Sequence, residues 1–122
     1  MKKSNKDFAI ELSKRTRKLA FNTIKLSGSL KKKIEANVIR YQITKSGCSI
    51  GANYREANWS RSKADFWSRI KICHAESNET VFWLEVIEDQ FWVNQQLIDE
   101  LKKEVNSLGA IFATIDRNLN WI

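Results

Sequence analysis

Proline is absent from the 122-residue chain, and glycine occurs only four times. Because proline breaks a helix most strongly and glycine comes next, a chain with so few breaks is expected to form long helices. Sandwiches and barrels of β-strands need turn residues roughly every 8–12 positions, and this chain does not supply them. Its length suits one domain with a substantial core. We therefore predict an all-α protein whose single domain covers residues 1–122.

Apolar residues spaced three and four apart predict four helices. The first covers residues 4–26, the second covers residues 30–55, the third begins near Ser62 and the fourth begins after Asn94. Ser4 and Ser62 each precede an aspartate by three residues, which is the spacing of a capping box. Short connections make successive helices antiparallel neighbours, so we expect an up-down-up-down four-helix bundle.

The glycines and the apolar stripes locate the predicted packing. Gly28 is expected to end the first helix. Gly47 and Gly51 lie inside the second helix, where each costs roughly 1 kcal/mol relative to alanine, so they predict a close approach to a neighbouring helix. The predicted core positions are Phe8, Leu12, Leu19 and Leu26, then Val38, Ile39, Ile43, Ile50 and Tyr54, then Phe66, Ile70, Cys73, Ser77, Val81, Leu84, Ile87 and Phe91, and finally Ile98, Leu101, Val105, Leu108, Phe112, Ile115, Leu119 and Ile122.

Basic side chains are concentrated in the first half of the chain. Residues 1–61 hold 15 lysines and arginines against 4 acidic residues, whereas residues 62–122 hold 6 against 10. Such asymmetry indicates contact with a polyanion or self-association between complementary charges. The outward face of the first helix is basic, with Ile10, Phe21 and Ile24 among the cations. The residues predicted to contact nucleic acid are Lys14, Arg17, Lys18, Lys25, Lys31, Lys32 and Lys33.

The lysine run at residues 31–33 leaves two interpretations open. We expect it in the first turn of the second helix, where each cation opposes the helix dipole by roughly 0.3–1 kcal/mol. It is either a solvated and screened run or a contact with the phosphates of a nucleic acid.

The five tryptophans are more than the core of a small bundle normally uses. Trp67 and Trp83 are expected outside the core stripe, and the other three at helix ends or in connections. Aromatic rings on outer faces indicate an interface, unless long lysine and arginine stems cover them. The tryptophans at helix ends or in connections are Trp59, Trp92 and Trp121.

No pattern for catalysis or cofactor binding emerges. Cys48, Cys73 and His74 match no zinc spacing, and free cysteines commonly pack as small hydrophobic residues. His74 is the only histidine, and nothing supports a catalytic triad around it. Residues 47–51 lack the phosphate-loop and dinucleotide patterns. We therefore expect no catalytic residue, metal, cofactor or small-molecule substrate.

Hydropathy along the chain bears on its compartment. The first residues lack the apolar region of a signal peptide. The longest uncharged stretch, residues 105–115, has 11 residues, whereas a membrane helix needs about 20. We expect a cytoplasmic protein with reduced thiols and no membrane contact.

Residues 42–79 carry a family resemblance. The pattern is a helix motif of the form Q-L-x-R-x-x-x-S-I-x-A-N-I-A-E-G, a linker with arginine and serine, an acid–Phe pair and a short element with glycine, serine and glutamate. Arg55, Ala57 and Glu76 depart from it, since the family usually has alanine, glycine and glycine there. The matching residues are Gln42, Ser49, Ile50, Ala52, Asn53, Glu56, Arg61, Ser62, Phe66, Ser77 and Glu79. On these residues the chain resembles the four-helix-bundle proteins encoded in intervening sequences of bacterial 23S ribosomal RNA genes.

The resemblance implies an antiparallel four-helix bundle that assembles into a homopentameric ring with a basic surface. A related branch, the accessory variability determinant of diversity-generating retroelements, is also a pentamer and binds its reverse transcriptase and RNA. The resemblance implies a structural or inter-subunit role for pattern residues of the second helix and of the turn that follows it. These are Gln42, Ser49, Asn53, Glu56, Arg61 and Ser62.

Two functions remain in competition. The first is a non-enzymatic, oligomeric nucleic-acid-binding protein that holds RNA rather than DNA through its phosphates, without sequence readout, and serves a reverse transcriptase as an accessory. The second is a protein-binding scaffold in which the basic helices of one subunit meet the acidic third helix of the next. The acidic residues of that contact would be Glu76, Glu79, Glu85, Glu88 and Asp89.

Overall fold

The structure is a computed structural model that describes residues 4–119, and within them it contains four helices and no strand. They are α1 (Asn5–Ser29), α2 (Ile34–Asn58), α3 (Lys63–Asp89) and α4 (Gln95–Leu119). Each helix packs on the next, and α1 also touches α4, which closes the bundle. The predicted all-α class and the number of helices are confirmed. The predictions for Trp121 and Ile122 lie outside the described residues.

Polar side chains start three of the helices where the sequence predicted them. The Ser4 hydroxyl accepts a hydrogen bond from the Asp7 amide at 3.1 Å, and the Ser62 hydroxyl accepts one from the Asp65 amide at 3.1 Å. At the start of α4, the Asn94 side chain accepts one from the backbone amide two residues on, at 2.8 Å. Each cap satisfies an amide that lacks a partner inside its helix.

The end of α1 differs from the prediction. Gly28 lies inside the helix, which continues to Ser29, and no glycine among residues 4–119 has a positive φ. The cause is Arg40 on α2, whose guanidinium donates to the carbonyl oxygens of Ser27 at 2.8 Å and Leu30 at 2.7 Å. Because this side chain satisfies carbonyls at the helix end, α1 needs no glycine cap.

The lysine run is also displaced from its predicted place. α2 begins at Ile34, so Lys31 and Lys32 lie in the connection, and Lys33 is the N-cap residue without a side-chain hydrogen bond. The placement of the run in the first turn of the second helix was therefore wrong. The cations lie before the helix rather than within its first turn.

The core follows the predicted stripes with three exceptions. Phe8, Val38 and Phe91 are exposed rather than buried. Phe8 lies near the start of α1 and borders a small hollow with Ile111 of α4, and Val38 is about 100° around the helix from the partly buried Ile39. Phe91 is 88% exposed, because α3 ends at Asp89 and the backbone of Phe91 turns with φ 56°. Most other predicted core residues are buried, and Ile39, Phe66, Val81 and Ile115 pack against them.

The predicted close approach at Gly47 and Gly51 is confirmed, and the neighbour is α1. A Cβ atom on Gly47 would lie 2.7 Å from Cγ2 of Thr23, and one on Gly51 would lie 3.1 Å from Oγ1 of Thr16. Both threonines are buried. The Thr23 hydroxyl is held in place because it donates to the Leu19 carbonyl at 2.8 Å. The threonine side chains of α1 therefore occupy the space that a side chain at Gly47 or Gly51 would need.

Candidate nucleic-acid interface

Four residues on successive turns of α1 surround one shallow hollow. Lys14, Arg17, Lys18 and Phe21 line it, and its volume is about 340 Å³. Residues three and four apart lie next to each other on a helix surface, so these cations form one continuous patch. Within residues 4–119, none of the three cations is in an ion pair with a carboxylate. Their charge is available to a partner.

The Phe21 ring in this patch is approached by two lysines and is also partly exposed to solvent. The ammonium groups of Lys18 and Lys25 lie 5.7 and 5.5 Å from the centre of the Phe21 ring, within range of a cation–π contact. The ends of two lysine side chains therefore lie near the face of the ring, in line with the alternative that long basic side chains cover outward aromatic rings. The ring is nevertheless 55% exposed, which leaves apolar surface beside four cations.

A groove between α1 and α2 continues from this hollow. Arg17 belongs to both depressions, and Arg55 and Glu56 contribute the other charges of the groove, whose volume is about 340 Å³. Its floor is shallow because α1 and α2 approach closely at Gly51. The remaining lining residues are small or polar: Ser13, Thr16, Ala20, Cys48, Gly51 and Ala52.

The structure thus gathers Lys14, Arg17, Lys18 and Lys25 along about 16 Å of α1, at 1.5 Å per residue. The lysine run at residues 31–33 is exposed in the connection at the end of α1, beyond this patch. Arg55 joins the patch across the groove. The family pattern marks Arg55 only as a departure, although its phase on the second helix indicates the outer face.

Two other arginines in the first half of the chain stabilise the fold and are not part of this patch. Arg15 pairs with Glu104 on α4 at 2.7 Å and donates to the Ser107 hydroxyl at 2.9 Å. The hydrogen bond to Glu104 raises the pKa of Arg15. Arg40 holds the end of α1, as described above. No signal in the sequence could have identified these roles, because the partners of Arg15 lie about 90 residues away.

Two of the family-pattern residues form a link between α2 and α3. The side-chain amide of Asn53 donates to the carbonyl and the hydroxyl of Ser49, both at 2.9 Å, and its oxygen accepts from Arg69 at 3.0 Å. Gln42 is half-buried. The structural or inter-subunit role implied for the family-pattern residues stays a prediction.

A second hollow, of about 510 Å³, lies at the corner where α2 meets α3. Trp59 borders it and is 81% exposed. Arg61 and Arg69 stand opposite the carboxylates of Glu56 and Asp65 around the same hollow. The mixture of charges gives this corner no strong preference for an anion.

The other described tryptophans are half-buried. Trp67 donates a hydrogen bond to Asp116 on α4, and the Lys71 ammonium lies 3.9 Å from its ring centre. Trp83 and Trp92 are partly buried and pack against the core, so Trp83 lies outside the fully buried stripe but is not fully exposed. The buried indole N–H of Trp83 has no hydrogen-bond partner within the part of the chain that the structure describes.

The outer side of α3 is acidic. Glu79, Glu85 and Asp89 are exposed. Burial raises the pKa of Glu76, and the nearby Glu79 carboxylate adds to the rise. Glu88 is tied to α4: it accepts hydrogen bonds from Gln95 and Lys102, which lower its pKa.

The cysteines and the histidine do not form a site. Cys73 is buried, and its thiol donates to the Ile50 carbonyl at 3.4 Å, whereas Cys48 lines the groove between α1 and α2. Burial raises the pKa of Cys73 to about 12. Residues 4–119 contain no group of three or more potential metal ligands. Among these same residues, no helix is long and apolar enough to cross a bilayer.

Comparisons with known proteins identify a family and a similar crystal structure. A family model described as "23S rRNA-intervening sequence protein" matches residues 9–114. The crystal structure is that of a protein of unknown function from the S23 ribosomal protein family of Bacteroides thetaiotaomicron, with a TM-score of 0.82 and 27% identity. The alignment covers 89% of this chain and 97% of that one. No curated protein matches the chain.

Proposed function

Since the chain belongs to the family of 23S rRNA-intervening sequence proteins, we propose that it is a non-enzymatic protein that binds RNA through the phosphate backbone. One observation carries this proposal: Lys14, Arg17 and Lys18 form a continuous patch without a carboxylate partner among the described residues. Cations that only stabilise the fold are expected to form ion pairs with carboxylates, as Arg15 does with Glu104. Both cysteines are free thiols, in keeping with the reducing cytoplasm as the proposed compartment.

Lysine and arginine on an exposed helix attract any polyanion, so the binding is expected to depend on charge and not on base sequence. Each cation that neutralises a phosphate of a single strand contributes about −0.7 to the slope of log affinity against log salt. Four contacts, from Lys14, Arg17, Lys18 and Lys25, predict a slope of roughly −3.

The decisive experiment reverses two charges of the patch. The double variant Lys14→Glu, Lys18→Glu is compared with Lys63→Glu, Lys103→Glu, which makes the same change in net charge at exposed lysines of α3 and α4. Fluorescence anisotropy with a short oligouridylate, and with its DNA counterpart, is recorded at about 50 and 200 mM salt. We expect the patch variant to lose about tenfold or more in affinity and the control to lose much less.

Three results would contradict the proposal. They are absence of RNA binding by the unaltered protein at about 50 mM salt, equal losses in the two variants, and tighter binding of DNA than of RNA. Circular dichroism of both variants checks that the helices are retained.

A second candidate function is a protein-binding scaffold built on self-association. It is favoured by exposed apolar residues on two outer faces of opposite charge: Phe21 and Ile24 lie among the cations of α1, and Ile72 and Phe82 lie near the acids of α3. A contact between unlike faces repeats head to tail and closes into a ring when the rotation allows it. We propose a homopentamer, the assembly implied by the family resemblance.

The same charge-reversal variant separates the two candidates. If Lys14→Glu, Lys18→Glu keeps the oligomeric mass and loses RNA, the patch serves RNA. If it loses the oligomer, the patch serves subunit contacts. A reverse transcriptase is the further protein partner that we propose, and co-purification with such an enzyme, before and after nuclease treatment, tests it.

A further inference from the structure

The groove between α1 and α2 is an open depression whose lining includes two arginines and one glutamate. Its two walls are helices that touch closely at Gly51 and Thr16, which gives the groove a fixed floor. Ala20 on one side and Ala52 on the other are too small to fill it. A volume of about 340 Å³ therefore remains open to solvent.

One arginine stands on each wall. Arg17 comes from α1 and Arg55 from α2, and both are exposed. Neither guanidinium has a hydrogen bond or an ion pair with any residue between 4 and 119. By contrast, Arg15 and Arg40 in the same half of the chain each make several. Arginine offers a planar fork of donors that fits the oxygens of a phosphate.

The packing register brings the two arginines close together along the groove. Thr16 faces Gly51, so Arg17 lies at nearly the level of Gly51. Arg55 is four residues further along α2, which is about one helical turn, or ~5.4 Å. An extended arginine side chain is longer than this offset, so both guanidiniums can reach the same phosphate from opposite walls.

Other polar groups of the groove limit where the anion can lie. The Thr16 hydroxyl already donates to the Ser13 carbonyl at 3.1 Å. The Glu56 carboxylate lines the groove as well, and it would repel an anion placed beside it. The favourable position is therefore between the two arginines and away from Glu56.

We propose that Arg17 and Arg55 clamp a phosphodiester of single-stranded RNA in the groove between α1 and α2. This inference rests on the proposed function and adds a defined subsite to it. Because Arg55 stands where the family pattern has alanine, the clamp is a property of this chain rather than of the pattern.

The first test compares arginines of equal charge. Arg17→Ala and Arg55→Ala are each expected to lower affinity for the oligouridylate about five- to tenfold and to reduce the salt slope by about 0.7. Arg117→Ala, at an exposed arginine of α4, is the matched control and should change affinity less than twofold. Arg55→Lys should restore the salt slope but not the full affinity, because an ammonium lacks the planar fork.

The second test uses the thiol in the groove as a reporter. Cys48 lines the groove, whereas Cys73 is fully buried, so a maleimide added to the folded protein labels Cys48 first. Saturating RNA is expected to slow this labelling at least severalfold in the unaltered protein. In Arg55→Ala, which still binds RNA through its lysines, saturating RNA should slow the labelling much less.

The outcomes distinguish the clamp from the general RNA-binding function. If RNA binds but Arg55→Ala behaves like Arg117→Ala, or Cys48 labels at the same rate with and without RNA, the clamp is wrong and the function stands. If Arg55→Ala changes the oligomeric mass, the groove holds a second copy of the chain, which also overturns the clamp. If the unaltered protein binds no RNA, both proposals fail.

Discussion

At the scale of single residues, the basic half of the chain divides into two kinds of cation. Arg15 and Arg40 are tied to the fold, one to Glu104 and the other to the carbonyls at the end of α1. Lys14, Arg17 and Lys18 are not tied to any carboxylate among residues 4–119. Periodicity could predict which side of the helix each residue occupies. It could not predict the partner, because a partner is chosen by packing between distant segments.

Removing the charge of either of two glutamates on α3 is expected to change the stability of the protein in opposite directions. Folding raises the pKa of Glu76, mainly by burial, so its charge opposes folding at neutral pH. Hydrogen bonds from Gln95 and Lys102 lower the pKa of Glu88, so its charge favours folding. We expect Glu76→Gln to raise the melting temperature at pH 7 and Glu88→Gln to lower it.

The dependence of these effects on pH follows from linkage. The stabilising effect of Glu88 is present above the ordinary value of 4.5 and is lost as pH falls through its lowered pKa in the folded protein. The opposing effect of Glu76 is present above its raised pKa and vanishes as pH falls below 4.5. Melting curves recorded from pH 7 to pH 3 should therefore converge with that of the unaltered protein at the acid end. Shifts of the same sign for both variants at pH 7 would contradict this account.

At the scale of helices, the glycines mark two kinds of contact between helices, close ones and ordinary ones. The positions of Gly47 and Gly51 predicted a close approach, and the structure shows that the approaching side chains are Thr23 and Thr16. Gly109 is different, since a Cβ atom there would meet only Cβ of Ser77, at 3.5 Å. The sequence could indicate where a helix tolerates no side chain, but it could not identify which neighbour fills the space.

Alanine substitutions at Gly109 and Gly47 should therefore change the free energy of unfolding in opposite directions. In Gly109→Ala, an ordinary contact replaces open space and helix propensity improves, so we expect a gain in the free energy of unfolding of up to about 1 kcal/mol. In Gly47→Ala, the new methyl would overlap Thr23, whose hydroxyl is fixed by its hydrogen bond. Overpacking of this kind costs about 1–3 kcal/mol, so a net loss is expected. Urea unfolding measures the free energy of unfolding of both variants. If Gly47→Ala is stabilising, the helices can separate freely to make room for the methyl group.

The connection between α1 and α2 shows where helix boundaries escape prediction. A glycine near a helix end favoured termination at that point, yet α1 continues to Ser29 because Arg40 on the next helix satisfies its last carbonyls. The lysine run lies outside α2 beside the same tertiary contact, since Arg40 also donates to the Lys31 carbonyl at 3.2 Å. Local propensity determines a boundary only when no tertiary contact competes with it.

At the scale of the whole molecule, the family resemblance carried by residues 42–79 is confirmed by the family match over residues 9–114. The bundle could be predicted almost completely, because four amphipathic segments with short connections allow few arrangements. The candidate site could be predicted in part. Four of its cations share one helix face, but the groove exists only once α1 and α2 are packed together.

The predicted assembly can be tested through one exposed ring on the acidic side. We expect a solution mass of five times the 14.2 kDa of the chain. Phe82 is exposed on α3, so Phe82→Gln should lower the mass by weakening an apolar contact between subunits. Phe91→Gln, at the exposed residue in the connection between α3 and α4, is the matched control and should leave the mass unchanged. Analytical ultracentrifugation decides, and a monomeric unaltered protein would refute the assembly.

The close contact between α1 and α2 has a consequence for the kinetics of binding. With Thr16 and Thr23 fitted against Gly51 and Gly47, the groove exists before any ligand arrives, so the proposed binding of RNA needs no rearrangement after the first encounter. Association should then proceed in a single exponential phase, at a rate that falls as salt screens the long-range attraction. Differences among RNA molecules would appear in how long each remains bound rather than in how fast it arrives.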